Sequence, residues 1–355
     1  MYTYLVTVAV PSDHQGRWKL YRLLGDPLRL RLLALSASEE LAVGELAQLL
    51  DESQPNVSRQ ASPLRQAGLL LDRRQGHRTM VRLSDKLASD PVVLDALAEG
   101  NRLCTEEGRL QRIPDVIAAR DQHAREYFAR PAVADDEGEL GARVPLYAYV
   151  VANLGQDREL VVDAGTGAGT FLDILAPTYA RVIAVDRSRV RLEQAEQRVR
   201  VRGYENVELV CSEIDAFSRS WNAEPGASAV IATRLLHHAP LPRNLLTALT
   251  GMLKPGGQLA VVDYAPHDDE VLRELRADVW MGFSDTELLH WASAARLIDA
   301  KVRPIPSGYV GGGIDGHLRW QLLTARRPLE PAALQSTEVS ATASSNHVID
   351  RSRGE

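Results

Sequence analysis

Leu160-Val161-Val162 runs into Asp163-Ala164-Gly165-Thr166-Gly167-Ala168-Gly169, and a helical pattern opens at Thr170. Glycines so placed let a backbone turn sharply and approach a ligand at a helix N-terminus, where N–H groups point outward. The pattern is acidic-x-Gly-x-Gly-x-Gly, not Gly-x-Gly-x-x-Gly. A carboxylate ahead of the first glycine suits a cationic amino-acid moiety better than a pyrophosphate. Asp186 ends the next apolar run about twenty residues on, where a carboxylate can accept both hydroxyls of a ribose. A glycine-rich turn alone is weak evidence, and the spacing to Asp186 adds discrimination.

These residues need a sheet to hold them. Val182 to Asp186, Val207 to Cys211, Ser228 to Thr233 and Gln258 to Asp263 are short apolar runs separated by helix-length segments such as Arg191 to Arg202. Strands alternating with helices predict a parallel, doubly wound sheet. Ahead of it, Asp90 to Arg130 reads as a helical connector, and the acidic, glycine-containing run from Ala132 to Gly141 as a loop. After Arg327 the composition turns to Ser, Thr, Ala, Glu and Pro without periodicity, which predicts a disordered tail.

The N-terminal third has a different pattern. Leu20, Leu23, Leu24 and then Leu28, Leu32, Leu35 recur at helical spacing around Gly25-Asp26-Pro27. Val43 to Leu50 is a further helix, and Asp51-Glu52-Ser53 breaks it before Gln54 begins another with Ser53 as N-cap. Leu69 to Leu71 and Thr79 to Leu83 read as strands around a turn at Gly76. Helix, turn, helix, hairpin is the winged-helix order. From Ser53 to Lys86 seven basic residues face two acidic ones, within a chain of net charge -6, so nucleic acid binding is expected there.

Composition bounds the rest. With 355 residues, 45% apolar and 25% charged, two cores are expected. Met1 to Val10 is too short to span a bilayer and lacks a basic flank, so it reads as a loose extension and the chain as cytoplasmic. The two cysteines, Cys104 and Cys211, exclude a disulfide framework and a zinc site built from several thiolates. No metal ligand set is expected, and His77 and His123 read as surface histidines.

Leu20 to Leu83 resembles the ArsR family of winged-helix repressors through LLGDPLRLRLLAL (23–35), ELAQLLDESQPNVSRQ (45–60), LRQAGLL (64–70) and RRQGHRTMVRL (73–83). The resemblance implies that the second helix of the motif enters the major groove of operator DNA. Gln54, Asn56, Val57, Ser58, Arg59 and Gln60 would then meet the DNA. Gln and Asn pair with adenine and Arg with guanine, while Ser58, Arg73, Arg74 and Arg78 suit phosphates. Gln60 stands where the family usually has His, and Pro63 is expected to bend the last turns. Ala42-Val43-Gly44 replaces the family's Cys-Val-Cys segment, which excludes soft-metal sensing there. A winged helix that mediates protein contacts is the competing reading. Pairing through flanking helices implies a homodimer.

Val144 to Arg326 resembles class I methyltransferases that use S-adenosyl-L-methionine (SAM). The matching positions are the glycine loop, Asp186, Ser212-Glu213-Ile214, Arg234-Leu235-Leu236-His237-His238 and Leu253-Lys254-Pro255-Gly256-Gly257. The resemblance implies that Asp163, Gly165, Thr166, Gly167 and Gly169 hold the methionine portion, Asp186 the ribose, and Glu213 with Ile214 the adenine, with Arg187 in the same cofactor set. Arg234 joins this cofactor set, and Glu213 replaces the commoner Asp. Tyr264 to Phe283 resembles the methyltransferase half of ArsR-methyltransferase fusions. Tyr127-Phe128 resembles an aromatic pair that closes over the cofactor, with a core role as the alternative.

The expected architecture is α/β: an extension (1–16), a winged helix-turn-helix (17–89), a helical connector (90–143), a Rossmann-like methyltransferase domain (144–326) and the tail (327–355). In this fold His237 would leave the fourth strand toward the cofactor, to remove an acceptor proton or line the pocket. Arg234-Leu235-Leu236-His237 lacks the polar-Pro-Pro-aromatic grip of amino-methylating nucleic-acid enzymes, and Cys211 lies within a strand instead of after a proline. A small organic methyl acceptor remains. The alternative is a non-catalytic sensor of SAM or S-adenosylhomocysteine.

Overall fold

The computed structural model describes residues 14–84, 90–130, 135–310 and 313–329. The expected extension and tail lie mostly outside them. The first core is helical. α1 (His14–Leu24) leads to α2 (Pro27–Ser38), whose N-cap Asp26 accepts from the Leu28 and Arg29 N–H groups with Pro27 in the first turn. The short β1 (Leu41–Ala42) precedes α3 (Val43–Leu50) and α4 (Gln54–Gln66). The Asn56 N–H donates to Ser53 Oγ at 3.4 Å, so Ser53 caps α4 as its sequence position predicts.

Helix α4 continues through Pro63 to Gln66, past the point where a bend is expected. The hairpin is longer than the sequence suggests. β2 (Leu70–Gln75) pairs antiparallel with β3 (Arg78–Leu83), leaving only Gly76 and His77 to turn, and β1 adds a third strand that the pattern does not reveal.

α5 (Pro91–Glu106) and α6 (Ile113–Phe128) fill the connector. They do more than bridge. Val93, Ala96, Cys104 and Val116 are buried in one cluster with Leu32, Leu33, Leu46 and Val57. The run from Asp135 to Gly141 belongs to α7 (Asp135–Ala152) and is not a loop. Leu146, Tyr147 and Val150 anchor its later turns in the second core.

The second core surrounds a seven-stranded sheet of order β6-β5-β4-β7-β8-β10-β9. Its strands are β4 (Leu160–Ala164), β5 (Arg181–Asp186), β6 (Val207–Cys211), β7 (Ala227–Thr233), β8 (Leu253–Tyr264), β9 (Ile298–Pro304) and β10 (Trp320–Arg326). Between them run α8 (Leu172–Thr178), α9 (Arg189–Arg202), α10 (Ile214–Arg219), α11 (Pro242–Gly251), α12 (Val271–Leu275) and α13 (Asp285–Ala294). β4 through β8 are parallel, but β10 runs antiparallel to both β8 and β9, so the sheet is mixed.

β4 is buried at every position, as the centre of a sheet covered on both faces requires. The strand order reverses between β4 and β7. A crevice therefore opens at their carboxyl ends, where ligands bind such sheets. Among the described residues no helix is long and apolar enough to cross a membrane.

Candidate functional site

The loop after β4 lies at that reversal. Gly165, Gly167 and Gly169 all have positive φ, between 55° and 76°, which other residues adopt only under strain. A Cβ on Gly165 would press into Leu235, and one on Gly169 into Ala195. The Gly167 N–H donates to Asp186 Oδ2 and the Ser188 N–H to Asp186 Oδ1, each at 2.8 Å, so the two strand-end motifs lock together.

Asp163 is 1% exposed, and its Oδ2 has no hydrogen-bond partner; neither has Thr166 Oγ1. Burial pushes the Asp163 carboxyl up to about 7, against the lowering effect of the neighbouring Thr166 hydroxyl and with a smaller upward contribution from Asp186. Asp186 is raised for the same first reason, burial. A buried carboxylate aimed into a cavity without a partner is a site prepared for a cation.

Two adjoining cavities meet at this loop. The larger, about 400 Å³, is lined by Asp186, Arg187, Glu213, Ile214 and Leu241 among others. The smaller, about 150 Å³, is lined by Asp163, Thr166, Tyr127, Arg143 and Arg276 among others. Gly165, Gly167, Phe128, Arg234 and His238 line both. The structure thus gathers the sequence-derived cofactor set around one crevice, although Gly169 lines neither cavity and packs on α9. Arg187 is held bidentate by Asp121 of α6 at 2.7 Å, and Glu213 pairs with Arg125 at 2.7 Å. Helix α6 therefore closes one wall. Tyr127 and Phe128, at its end, form the lip, with Phe128 edge-on to His238 at 4.8 Å.

The expectation for His237 needs correction. Its ring is fully buried and lines neither cavity, because Asp263 at the end of β8 captures Nδ1 at 2.8 Å and its backbone N–H at 3.2 Å. The histidine that faces the crevice is His238. Burial opposes charge on His237, yet Asp263 and Asp278 raise its pKa; His238 is lowered well below the usual value by burial, with His237 adding to the effect. Arg234 has φ +56°, lies 5.6 Å over the Trp320 ring and binds Asp315 at 2.6 Å.

Sequence reasoning missed Asp263, Asp278 and Asp315. The first carried a usable signal: like Asp163 and Asp186, it stands at the end of an apolar strand.

The residues expected to meet DNA divide. Gln54, Ser58 and Arg59 are exposed on α4, and Arg74 and Arg78 on the hairpin. Asn56 bridges Glu52 and Arg59, and Gln60 accepts from Arg29 Nε at 3.0 Å. Val57 is buried with Ala61 and Leu64 on the inner face of α4, so it does not reach DNA. Arg73 is also not free for phosphate, since Glu40 and Glu287 bind it and it lies 4.7 Å over Trp280.

The hairpin tip carries an unforeseen contact with the second core. Gln75 is 4% exposed; its Oε1 accepts from the Met281 N–H at 2.6 Å and its Nε2 donates to Gly282 O at 3.2 Å. The His77 N–H donates to Glu270 at 2.6 Å, and a Cβ on Gly76 would run into the same carboxylate. The docked segment is tied to the turn that carries His238, because the Val279 and Trp280 N–H groups both donate to His237 O.

Comparison with known proteins agrees with this division. Residues 26–70 match the family model described as bacterial regulatory protein, arsR family, and residues 156–295 match the methyltransferase domain model. The chain joins an ArsR-type regulatory domain to a methyltransferase domain. The arsenical resistance operon repressor of Escherichia coli is 48% identical over 67 residues, covering 19% of this chain and 57% of the repressor. The E. coli tRNA 5-carboxymethoxyuridine methyltransferase is 28% identical over 146 residues, 40% of this chain and 55% of that enzyme. A solved O-methyltransferase family protein from Burkholderia thailandensis aligns over 93% of this chain and all of its own, at 19% identity and a TM-score of 0.44. This chain spans 57% to 62% of the length of the arsenic-response regulators it matches.

Proposed function

We propose that the protein is an ArsR-type transcriptional regulator that binds operator DNA and whose methyltransferase domain transfers a methyl group from SAM to a small molecule. In this reading residues 17–89 read DNA, 90–143 connect, and 144–326 bind cofactor and acceptor; the protein works as a cytoplasmic homodimer. The carrying observation is Asp163: buried, unpartnered at Oδ2, and placed beside a loop of positive-φ glycines. That arrangement suits the ammonium of the methionine portion, as the paired cavities suit a ligand with a nucleoside at one end and an amino acid at the other.

SAM supplies an activated methyl group, and in-line displacement needs chiefly the correct placement of the two reactants. Asp163 would hold the amino-acid end, Asp186 and Arg187 the ribose, and Ile214 one face of the adenine. Phe128 and Tyr127 would exclude water at the lip, and His238 would face the acceptor. Labelled-methyl transfer into fractionated small-molecule extracts tests this. Transfer lost with Asp163→Ala supports the enzyme, whereas SAM binding without transfer to any fraction contradicts it.

One observation favours a second reading, a sensor of SAM or S-adenosylhomocysteine without turnover. The hairpin tip, which winged helices present to DNA, is bonded through Gln75 to the segment behind the crevice. A ligand can shift DNA affinity only through different affinity for the docked and free states. Operator titration with and without each ligand separates the readings.

A further inference from the structure

We infer that His237, His238 and Asp278 form a binding site for one divalent transition-metal ion in the wall between the crevice and the segment that docks the hairpin. The three side chains come from the turn after β7 and the stretch after α12, and they are 0%, 9% and 1% exposed. One ligand atom from each lies within 4.8 Å of the others. Asp278 Oδ1 is 3.6 Å from His237 Nε2 and 3.8 Å from His238 Nδ1.

Hydrogen-bond accounting decides what belongs between them. Asp263 accepts from His237 Nδ1, from the His237 N–H and from the Tyr264 N–H. In the neutral ring Nδ1 therefore carries the hydrogen, and Nε2 presents a lone pair. Asp278 Oδ1 stands across from that atom, and neither Nε2 nor either Asp278 oxygen has a hydrogen-bond partner. Acceptors confronting each other in a dry interior require a cation between them, a metal ion or a proton on the pair. Their separation exceeds hydrogen-bond length, while two ligands of one zinc-like ion, each about 2.0–2.1 Å from it at a tetrahedral angle, stand roughly 3.3–3.4 Å apart. The two Asp278 distances need a closure of a few tenths of an ångström, and His238 Nδ1 must exchange its hydrogen bond to Ala277 O, 3.3 Å, for the ion.

The surroundings match a metal site in two further respects. The Asp263–His237 contact is the carboxylate–imidazole support that fixes the tautomer of metal-bound histidines. Asp278 is pinned to His237 through the adjoining residues, since the Val279 and Trp280 N–H groups bond His237 O at 2.9 and 3.0 Å. Two imidazoles and one carboxylate favour zinc, cobalt or ferrous iron over magnesium or calcium. Because His238 lines both cavities, the remaining coordination position faces the crevice, where water or an anionic oxygen of an acceptor would complete it.

Untagged full-length protein, stripped with chelator and dialysed, is titrated with Co²⁺ and followed by visible absorption. One equivalent should bind with the d–d bands of a low-coordinate site, and Zn²⁺ should displace it. Asp278→Asn, confirmed as folded by circular dichroism and by its thermal transition, should lose these bands. Asp263→Asn should weaken binding about 10- to 100-fold. No stoichiometric Co²⁺ binding by folded wild-type protein would overturn the inference and leave His237 and Asp278 sharing a proton. Binding that Asp278→Asn leaves unchanged would place the ion elsewhere and overturn it equally.

Discussion

Replacing Asp163 with Asn preserves shape and removes the charge that we assign to SAM recognition, and pH does the same reversibly. With the carboxyl raised to about 7 by burial, the ligand-free site is about half ionised at that pH. From about pH 8 to about pH 6 the ionised share falls roughly tenfold, so the apparent Kd should rise about tenfold, or about 1.4 kcal/mol. Binding at neutral pH should release protons, visible by calorimetry in buffers of different ionisation enthalpy. Asp163→Asn should bind weakly at every pH and release none through this group.

The stability sign is opposite without ligand. The folded pKa near 7 lies above the unfolded carboxylate value of about 3.9, so the native state holds a proton that the unfolded chain lacks. This group's contribution therefore favours folding at low pH and is lost as pH rises through about 7; a bound ammonium would restore it. A wild-type affinity that is flat between about pH 6 and about pH 8, or an Asp163→Asn protein that binds as tightly as wild type, would refute the assignment.

The remaining predictions concern DNA. Gln75→Ala leaves the buried Met281 N–H and Gly282 carbonyl unpaired, at about 1–3 kcal/mol each. It should free the hairpin and tighten operator binding about tenfold or more, measured by anisotropy; unchanged affinity would show that docking and DNA do not compete. Arg59→Ala, at an exposed position on α4, should cost about 1–3 kcal/mol on the best duplex and relax base preference at one position. Arg74→Ala should instead weaken binding evenly across sequences and lower the salt slope by about one.

How much was legible in the sequence follows from how local each feature is. The Asp163–Gly169 loop and the cap at Ser53 depend on a few adjacent residues, and they stand where the pattern placed them. Val57 was misplaced because the inner face of α4 is defined by Ala61 and Leu64, which bring it into the core despite its polar neighbours. His237 and His238 are adjacent and chemically identical. Only the long-range register that sets Asp263 beside the first of them decides which one meets the crevice. The antiparallel β10 and the seat of Gln75 against residues more than two hundred positions away are likewise tertiary, and no periodicity announces them.

The coupling of the two halves can be measured directly with a duplex enriched from a random pool by the protein itself. Its affinity for the full-length protein is determined with no ligand, with saturating SAM and with saturating S-adenosylhomocysteine, in parallel with Asp163→Asn. The account predicts that at least one ligand shifts the wild-type affinity by about fivefold or more, the range of ordinary coupling energies, and that the shift disappears in the variant. Wild-type protein that binds SAM and the duplex together with no change in either affinity would contradict it.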